Sequence, residues 1–287
     1  MKSTCSMLLA VAALLAMAAL GSSPAAAAAN RLTVPLSDPA QAARIEVSLV
    51  MGSIHVSPGK AGEVSIGAEV SKDDEGDHDA DSTPAIAGTA KDKHDHSMMR
   101  RLPNNSLDLS AEEDKNRVRI GVNSWSRTID LEIQVPAGSA LQLSSVNDGE
   151  LVVEGISGEL DLSNTNGDIT VRDATGPVNA NTVNGDITIT FSATMASTPM
   201  AFSTLNGDVD LTLPANARLN VRLRSDNGEI YSDFDVALAP KTAQVEQDRA
   251  KGKYRVSIAK ELTGKIGGGG PELFLKTFNG DIVLRRR

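Results

Sequence analysis

Carboxylates recur in this chain at regular intervals inside one short phrase. It reads Asn166-Gly167-Asp168, Asn184-Gly185-Asp186, Asn206-Gly207-Asp208 and Asn279-Gly280-Asp281, with relatives at Gly149-Glu150 and Asn227-Gly228-Glu229. If successive copies stack, Asp168, Asp186 and Asp208 form a column flanked by Glu150 and Glu229, with neighbours about 5 Å apart. That is close to the carboxyl separation of a retaining glycosidase, so one chemistry open to the column is polysaccharide cleavage. A second is calcium binding through oxygen ligands, although calcium rolls use a denser Gly and Asp repeat. The structural alternative is simpler. Asn-Gly and a following Asp are what a tight turn requires, since Gly and Asn accept positive φ and Asp can bond to turn amides. A sugar groove also calls for aromatic platforms, and Trp125, Tyr231 and Tyr254 are few and scattered.

Other candidates for chemistry cluster elsewhere. His78 sits among Asp77, Asp79 and Asp81, and His94-Asp95-His96 precedes Met98 and Met99. Imidazole with carboxylate suits zinc or copper(II), and thioether adds affinity for copper(I). The spacing fits no closed structural site, so the competing reading is a solvated linker. His55 stands apart on a strand and reads as an ordinary surface or half-buried histidine. There is no Gly-x-Ser-x-Gly elbow and no phosphate loop, and with three of the four histidines in one polar stretch a Ser-His-Asp arrangement lacks material. The expectation is therefore no catalytic residue and no cofactor, with calcium or zinc/copper as the alternative.

The elements that carry these residues follow from periodicity. Gly149, Gly167 and Gly185 are 18 and 18 apart, with Gly158 and Gly176 midway, so each unit holds two short strands and two turns. Val152, Leu160, Leu162, Ile169, Val171, Val178, Val183, Ile187 and Ile189 form the expected inward set, alternating with polar residues. Asn-Gly between alternating runs also signals hairpins, which leaves an antiparallel meander or barrel as the alternative. The parallel β-solenoid is preferred, because an exact repeat places equivalent residues in register.

Outside the central repeat, residues 30–70 read as an N-terminal β segment of the same solenoid, with an extended entry from Arg31 to Asp38 and strands over Arg44–Val50, Ser53–Val56 and Glu63–Val70. Residues 71–116 read as an acidic, histidine-containing disordered insertion with a short strand near Leu107 and Leu109. The repeat domain spans 117–287, with strands at Val118–Val122, Ile129–Val135 and Tyr254–Ile258. Later glycine spacings of 22, 21 and 52 imply bulging loops, one at Met195–Pro199 and one at Ala239–Lys251 with possible helix in VEQDRAK. The closing phrase is expected to form the last coil, with Phe274 and Phe278 capping the core. Arg285-Arg286-Arg287 is expected to protect a terminal strand edge.

Residues 1–29 read as a secretory signal peptide. Lys2 precedes an apolar run from Met7 to Leu20, and Pro24 with Ala25–Ala29 offers small-residue cleavage sites. The run is short for a membrane span, and no second one exists. Cleavage near Ala29 removes Cys5, the one cysteine, and takes the net charge from −9 to −10 through loss of Lys2. So acidic a chain argues against nucleic acid as a partner. Aromatics at 3% suit thin β layers of small and branched side chains.

The phrases VPAGSALQLSSVNDGELVVEGISGELDLSNTNGDITV and GGGGPELFLKTFNGDIVL resemble the DUF4097 family of adhesin-type bacterial β-strand-repeat proteins. The resemblance covers about residues 118–287 well, 44–70 loosely and the insertion not at all. It implies a right-handed β-solenoid in an exported or envelope protein, and it carries over no catalytic residues. The expected function is a non-enzymatic structural or interaction module of the bacterial cell envelope, in the periplasm or on the cell surface. Its partner would be an envelope protein or glycan. The alternatives are a carbohydrate-active enzyme using the carboxylate edge and a metal binder using the insertion.

Overall fold

The structure, a computed structural model, describes residues 31–71, 109–122, 127–147, 149–192, 194–240, 243–248, 253–258 and 261–287. Among them the regular elements are all strands, and no helix is long and apolar enough to cross a membrane. In chain order they are β1 (Arg31–Pro35), β2 (Arg44–Met51), β3 (Ile54–Pro58), β4 (Glu63–Val70), β5 (Leu109–Asp114), β6 (Arg117–Val122) and β7 (Ile129–Val135). The central repeat supplies β8 (Ala140–Asn147), β9 (Leu151–Glu154), β10 (Leu160–Ser163), β11 (Ile169–Ala174), β12 (Val178–Asn181), β13 (Ile187–Phe191), β14 (Met200–Ser203) and β15 (Val209–Leu213). The C-terminal part adds β16 (Leu219–Asn227), β17 (Ile230–Ser232), β18 (Ala237–Leu238), β19 (Ala243–Asp248), β20 (Lys253–Ile258), β21 (Leu262–Ile266), β22 (Glu272–Asn279) and β23 (Ile282–Arg286).

Each coil gives one strand to each of two facing sheets. One sheet runs β1-β4-β7-β3-β9-β11-β13-β15-β23-β17, and the other β18-β21-β16-β22-β14-β12-β10-β8-β2-β6-β5. Ile169 pairs in parallel with Leu151 and Ile187, and Leu160 with Leu141 and Val178, so apolar residues stack in rows between the sheets. This is the parallel β-solenoid, and the meander alternative fails for a definite reason. Each Asn-Gly joins strands of opposite sheets, turning the chain around the edge of the core instead of folding it into a hairpin. Among the described residues antiparallel pairs occur only where β1 and β4 add beyond β7, β5 beyond β6, β21 and β18 beyond β16, and within the β19–β20 hairpin.

Spatial order departs from chain order at both ends. The β2–β3 coil lies between β6–β7 and β8–β9, although β6–β7 comes later in the chain. The β22–β23 coil lies between β14–β15 and β16–β17. The closing phrase is therefore an interior coil, and the expected aromatic caps are not caps. Phe278 is exposed, and Phe274 lies partly buried on the outer face beneath Arg222, 5.1 Å from its ring centroid.

Several further expectations are corrected. Val152 faces outward between buried Leu151 and Val153, and Val183 is exposed, because each sits one residue out of phase with the inward set. Residues 109–116 are ordered strand and turn rather than insertion: β5 pairs with β6, and Asn116 is buried. Val245 to Asp248 of the expected helix lie in β19, which pairs antiparallel with β20. The arginine tail guards no edge, since β23 is paired on both sides. Arg285 bridges Asp210 at 2.8 Å, Arg286 lies 5.0 Å over the Phe234 ring, and Arg287 bridges Asp173 at 2.9 Å.

Candidate functional site

All the Asn-Gly-Asp phrases come together at one bend, along a single edge of the stack. Three side-chain ladders run along it. In the first, each asparagine amide donates to the carbonyl of the asparagine on the adjacent coil. Asn166 donates to Asn147 (3.1 Å), Asn184 to Asn166 (2.8 Å), Asn206 to Asn184 (2.7 Å), Asn279 to Asn206 (2.7 Å) and Asn227 to Asn279 (3.0 Å). The order is spatial, so the ladder passes through the interior coil from the C-terminus before it reaches Asn227.

The second ladder lies inside the first. Asn164 donates to the Gly149 carbonyl, Thr182 to Gly167, Thr204 to Gly185, Thr277 to Gly207 and Ser225 to Gly280, at 2.8–3.1 Å. Asn164, Thr182, Thr204 and Thr277 are buried polar residues, and these bonds satisfy both the side chain and a turn carbonyl. Sequence reasoning missed this ladder. Its signal is present two residues before every asparagine, where Asn, Thr or Ser stands at an inward position.

The third ladder is the aspartate column. Asp168 Oδ1 accepts from the Asp186 amide (2.7 Å), Asp186 Oδ1 from Asp208 (2.8 Å), Asp208 Oδ1 from Asp281 (2.7 Å), and Asp281 Oδ1 from Glu229 (2.7 Å). The carboxylates thus serve the backbone of the next coil rather than their own turn. Asp168, Asp186 and Asp208 are exposed at their outer side. The column brings together Asp168, Asp186, Asp208, Asp281 and Glu229, as stacking requires. Among the described residues no group of three His, Cys, Asp or Glu has the geometry to hold a metal ion. His78, His94 and His96 lie outside the described residues. His55 is half-exposed, 3.9 Å from Glu154.

Glycine is obligatory in this bend for space as well as angle. Gly185 has φ +153, and a Cβ there would lie 2.2 Å from the Gly167 carbonyl oxygen of the coil beside it. Gly167, Gly207 and Gly280 meet the same contact at 2.0–2.1 Å. Backbone stacks on backbone, so no side chain fits between coils.

Shallow grooves lie on the outer sheet face among the described residues. One, of about 460 Å³, is lined by Glu46, Ser48, Ser110, Arg119, Gln142 and Ser144 around the open position at Gly121. Another, of about 410 Å³, lies beside Arg222, whose guanidinium is held still more firmly protonated by Glu261 and then Glu272.

Residues 137–266 match the family model described as Toastrack DUF4097. Among solved structures the chain resembles that of a "putative cell adhesion protein" from Clostridium sporogenes ATCC 15579. The identity is 8% and the TM-score 0.42, over 90% of this chain and 99% of that one. No curated protein matches the chain.

Proposed function

We propose, from the Toastrack DUF4097 match over residues 137–266, that this chain is an exported, non-enzymatic interaction module of the bacterial cell envelope, acting in an adhesin-like manner. The observation that carries the reading is the third ladder. Each aspartate that could have been a catalytic acid or base spends Oδ1 on a backbone amide of the next coil, so the carboxylate column is part of the frame. A frame of stacked coils presents long regular surfaces, which suit recognition of an envelope protein or glycan. Export is supported by the basic, apolar and alanine-rich order of residues 1–29.

Two measurements test it. Fractionation with N-terminal mass spectrometry should find the chain outside the cytoplasm, beginning near Asn30; an intact cytoplasmic chain would refute export. Turnover assays on acidic and neutral polysaccharides should show no activity above the Asp186→Asn variant. Hydrolysis lost in that variant would replace the interaction reading by a carbohydrate-active one.

A further inference from the structure

The residue before each ladder asparagine forms a row of its own. In spatial order these are Val146, Thr165, Val183, Leu205 and Phe278; Val50, before Met51 opposite Asn147, extends the row at one end, and Asp226, before Asn227, ends it at the other. The Asn166 amide donates to the Val146 carbonyl (3.1 Å), Asn184 to Thr165 (2.8 Å), Asn206 to Val183 (2.8 Å) and Asn279 to Leu205 (2.9 Å), which keeps the row in register. With a coil spacing of about 4.8 Å the row is roughly 24 Å long. Val50, Val146, Val183, Leu205 and Phe278 are 45, 44, 39, 46 and 43% exposed. Among the described residues the other large apolar side chains so exposed are Leu32, Tyr231 and Leu238, so most of the exposed apolar surface is gathered on one line. Scattered apolar residues need no explanation, but five on one line, interrupted only by Thr165, do.

A second line runs parallel to it, across the asparagine ladder: Glu150, Asp168, Asp186, Asp208, Asp281 and Glu229. Among the described residues none of these forms an ion pair with Lys or Arg. Several carboxylates on the sheet faces are paired: Glu46 with Arg119, Glu154 with Arg172, Asp210 with Arg285 and Glu272 with Arg222. Cations thus neutralise part of the faces and, among the described residues, none of this edge.

A partner must therefore be narrow, about 24 Å long, apolar on one side and cationic on the flank. An α-helix rises about 1.5 Å per residue, so roughly 16 residues span the row, with apolar positions three or four apart and Lys or Arg beside them. A second copy of the chain fits badly, since two-fold pairing along this edge would bring both anionic lines together. Nucleic acid and anionic bilayers meet the same repulsion. We propose that this edge docks a cationic amphipathic helix of a partner protein. The proposal rests on the interaction-module reading and specifies its surface and ligand chemistry.

The test is fluorescence anisotropy of labelled 18-residue peptides titrated with the mature chain. A Leu/Lys amphipathic helix should bind in the micromolar range, and more weakly as salt rises. A scrambled peptide of the same composition should bind at least tenfold more weakly. Val183→Ser with Leu205→Ser should weaken binding about tenfold. Asp168→Asn with Asp186→Asn and Asp208→Asn should do the same, because asparagine Oδ1 still accepts the inter-coil amide and only charge is lost. Circular dichroism melts of each variant, unchanged, tie the loss to the surface. Equal binding of the scrambled peptide, or retention of affinity in the serine variant, overturns the proposal in favour of unspecific charge attraction. Dimerisation in sedimentation, abolished by the serine variant, overturns it in favour of self-association. Neither result bears on the export and turnover measurements, so the two readings fail separately.

Discussion

The coils from β8 to β15 and the coils at the two ends are built from the same materials but assembled by different rules. In the centre each coil lies beside its neighbours in sequence, and the side-chain ladders pass between residues 15–22 apart. At the ends the ladders join Asn279 to Asn206 and Asn227 to Asn279, residues 73 and 52 apart, because β22–β23 enters the stack between two coils that are consecutive in the chain. The β2–β3 coil does the same at the other end, where Ile45 pairs with both Leu141 and Val118. A repeat array is ordinarily a sum of nearest-neighbour contacts that can be shortened or lengthened. Threading the last coil inward makes the ends depend on distant parts of the chain, which turns an open array into a closed unit.

The largest test of this difference is deletion. Removing residues 167–184 takes out one period and leaves Asn166 followed by Gly185, so the stack should shorten by one coil and still fold. Removing residues 271–287 should instead strip β15 and β17 of a shared partner and abolish cooperative melting. Circular dichroism melts and size exclusion of the two deletions read the contrast directly. A central deletion that unfolds the chain, or a C-terminal deletion that melts like the intact protein, would break it.

Next in size is the glycine column. Gly185→Ala drives a methyl to 2.2 Å from a backbone carbonyl at a positive φ, and neither backbone can yield without parting the coils. The expected loss is about 3 kcal/mol or more in urea unfolding. Gly138→Ala, where no atom lies within 4 Å, should change stability by less than about 0.5 kcal/mol. Thr204→Val should cost about 1–2 kcal/mol, because the Gly185 carbonyl loses its buried donor. Asn184→Ala, on the exposed outer ladder, should cost about 1 kcal/mol or less.

The contrast also sets what could be read from the sequence. Alternation identified Ile169, Val171, Ile187 and Ile189 as core, and the 18-residue period identified parallel stacking. Alternation fixes a face but not a partner, so the place of β22–β23 was illegible, and with it the roles of Phe278 and the terminal arginines. At the bend itself alternation and residue type disagree. Val183 follows buried Thr182 and precedes Asn184, so an apolar residue is turned out while a threonine is turned in, and residue type alone points the wrong way. The alternation carried on from Val178 and Ala180 decides both, and it leaves the apolar row exposed.

The smallest test concerns the N-terminal cap, where a polar clamp does what coils do elsewhere. Lys115 and Asn116 take left-handed φ values of 52 and 62 in the β5–β6 turn. Glu113 accepts from the Asn116 amide (2.9 Å) and, through both oxygens, from the Ser37 amide (3.2 Å) and hydroxyl (3.0 Å), tying the entry segment to the hairpin. These donors, the Asn116 amide first, hold its pKa below the ordinary 4.5. A lowered carboxylate pKa means that the unfolded chain binds the proton more readily, so the clamp contributes above the ordinary value and fades as pH falls through the folded one. Glu113→Gln should therefore be less stable than the parent chain near pH 7, and the gap in urea midpoints should close as the solution is acidified below 4.5. Because Glu113 is partly open to solvent, the gap should be the smallest of the series. A gap that persists at low pH would mean that the side chain acts by shape and not by its charge.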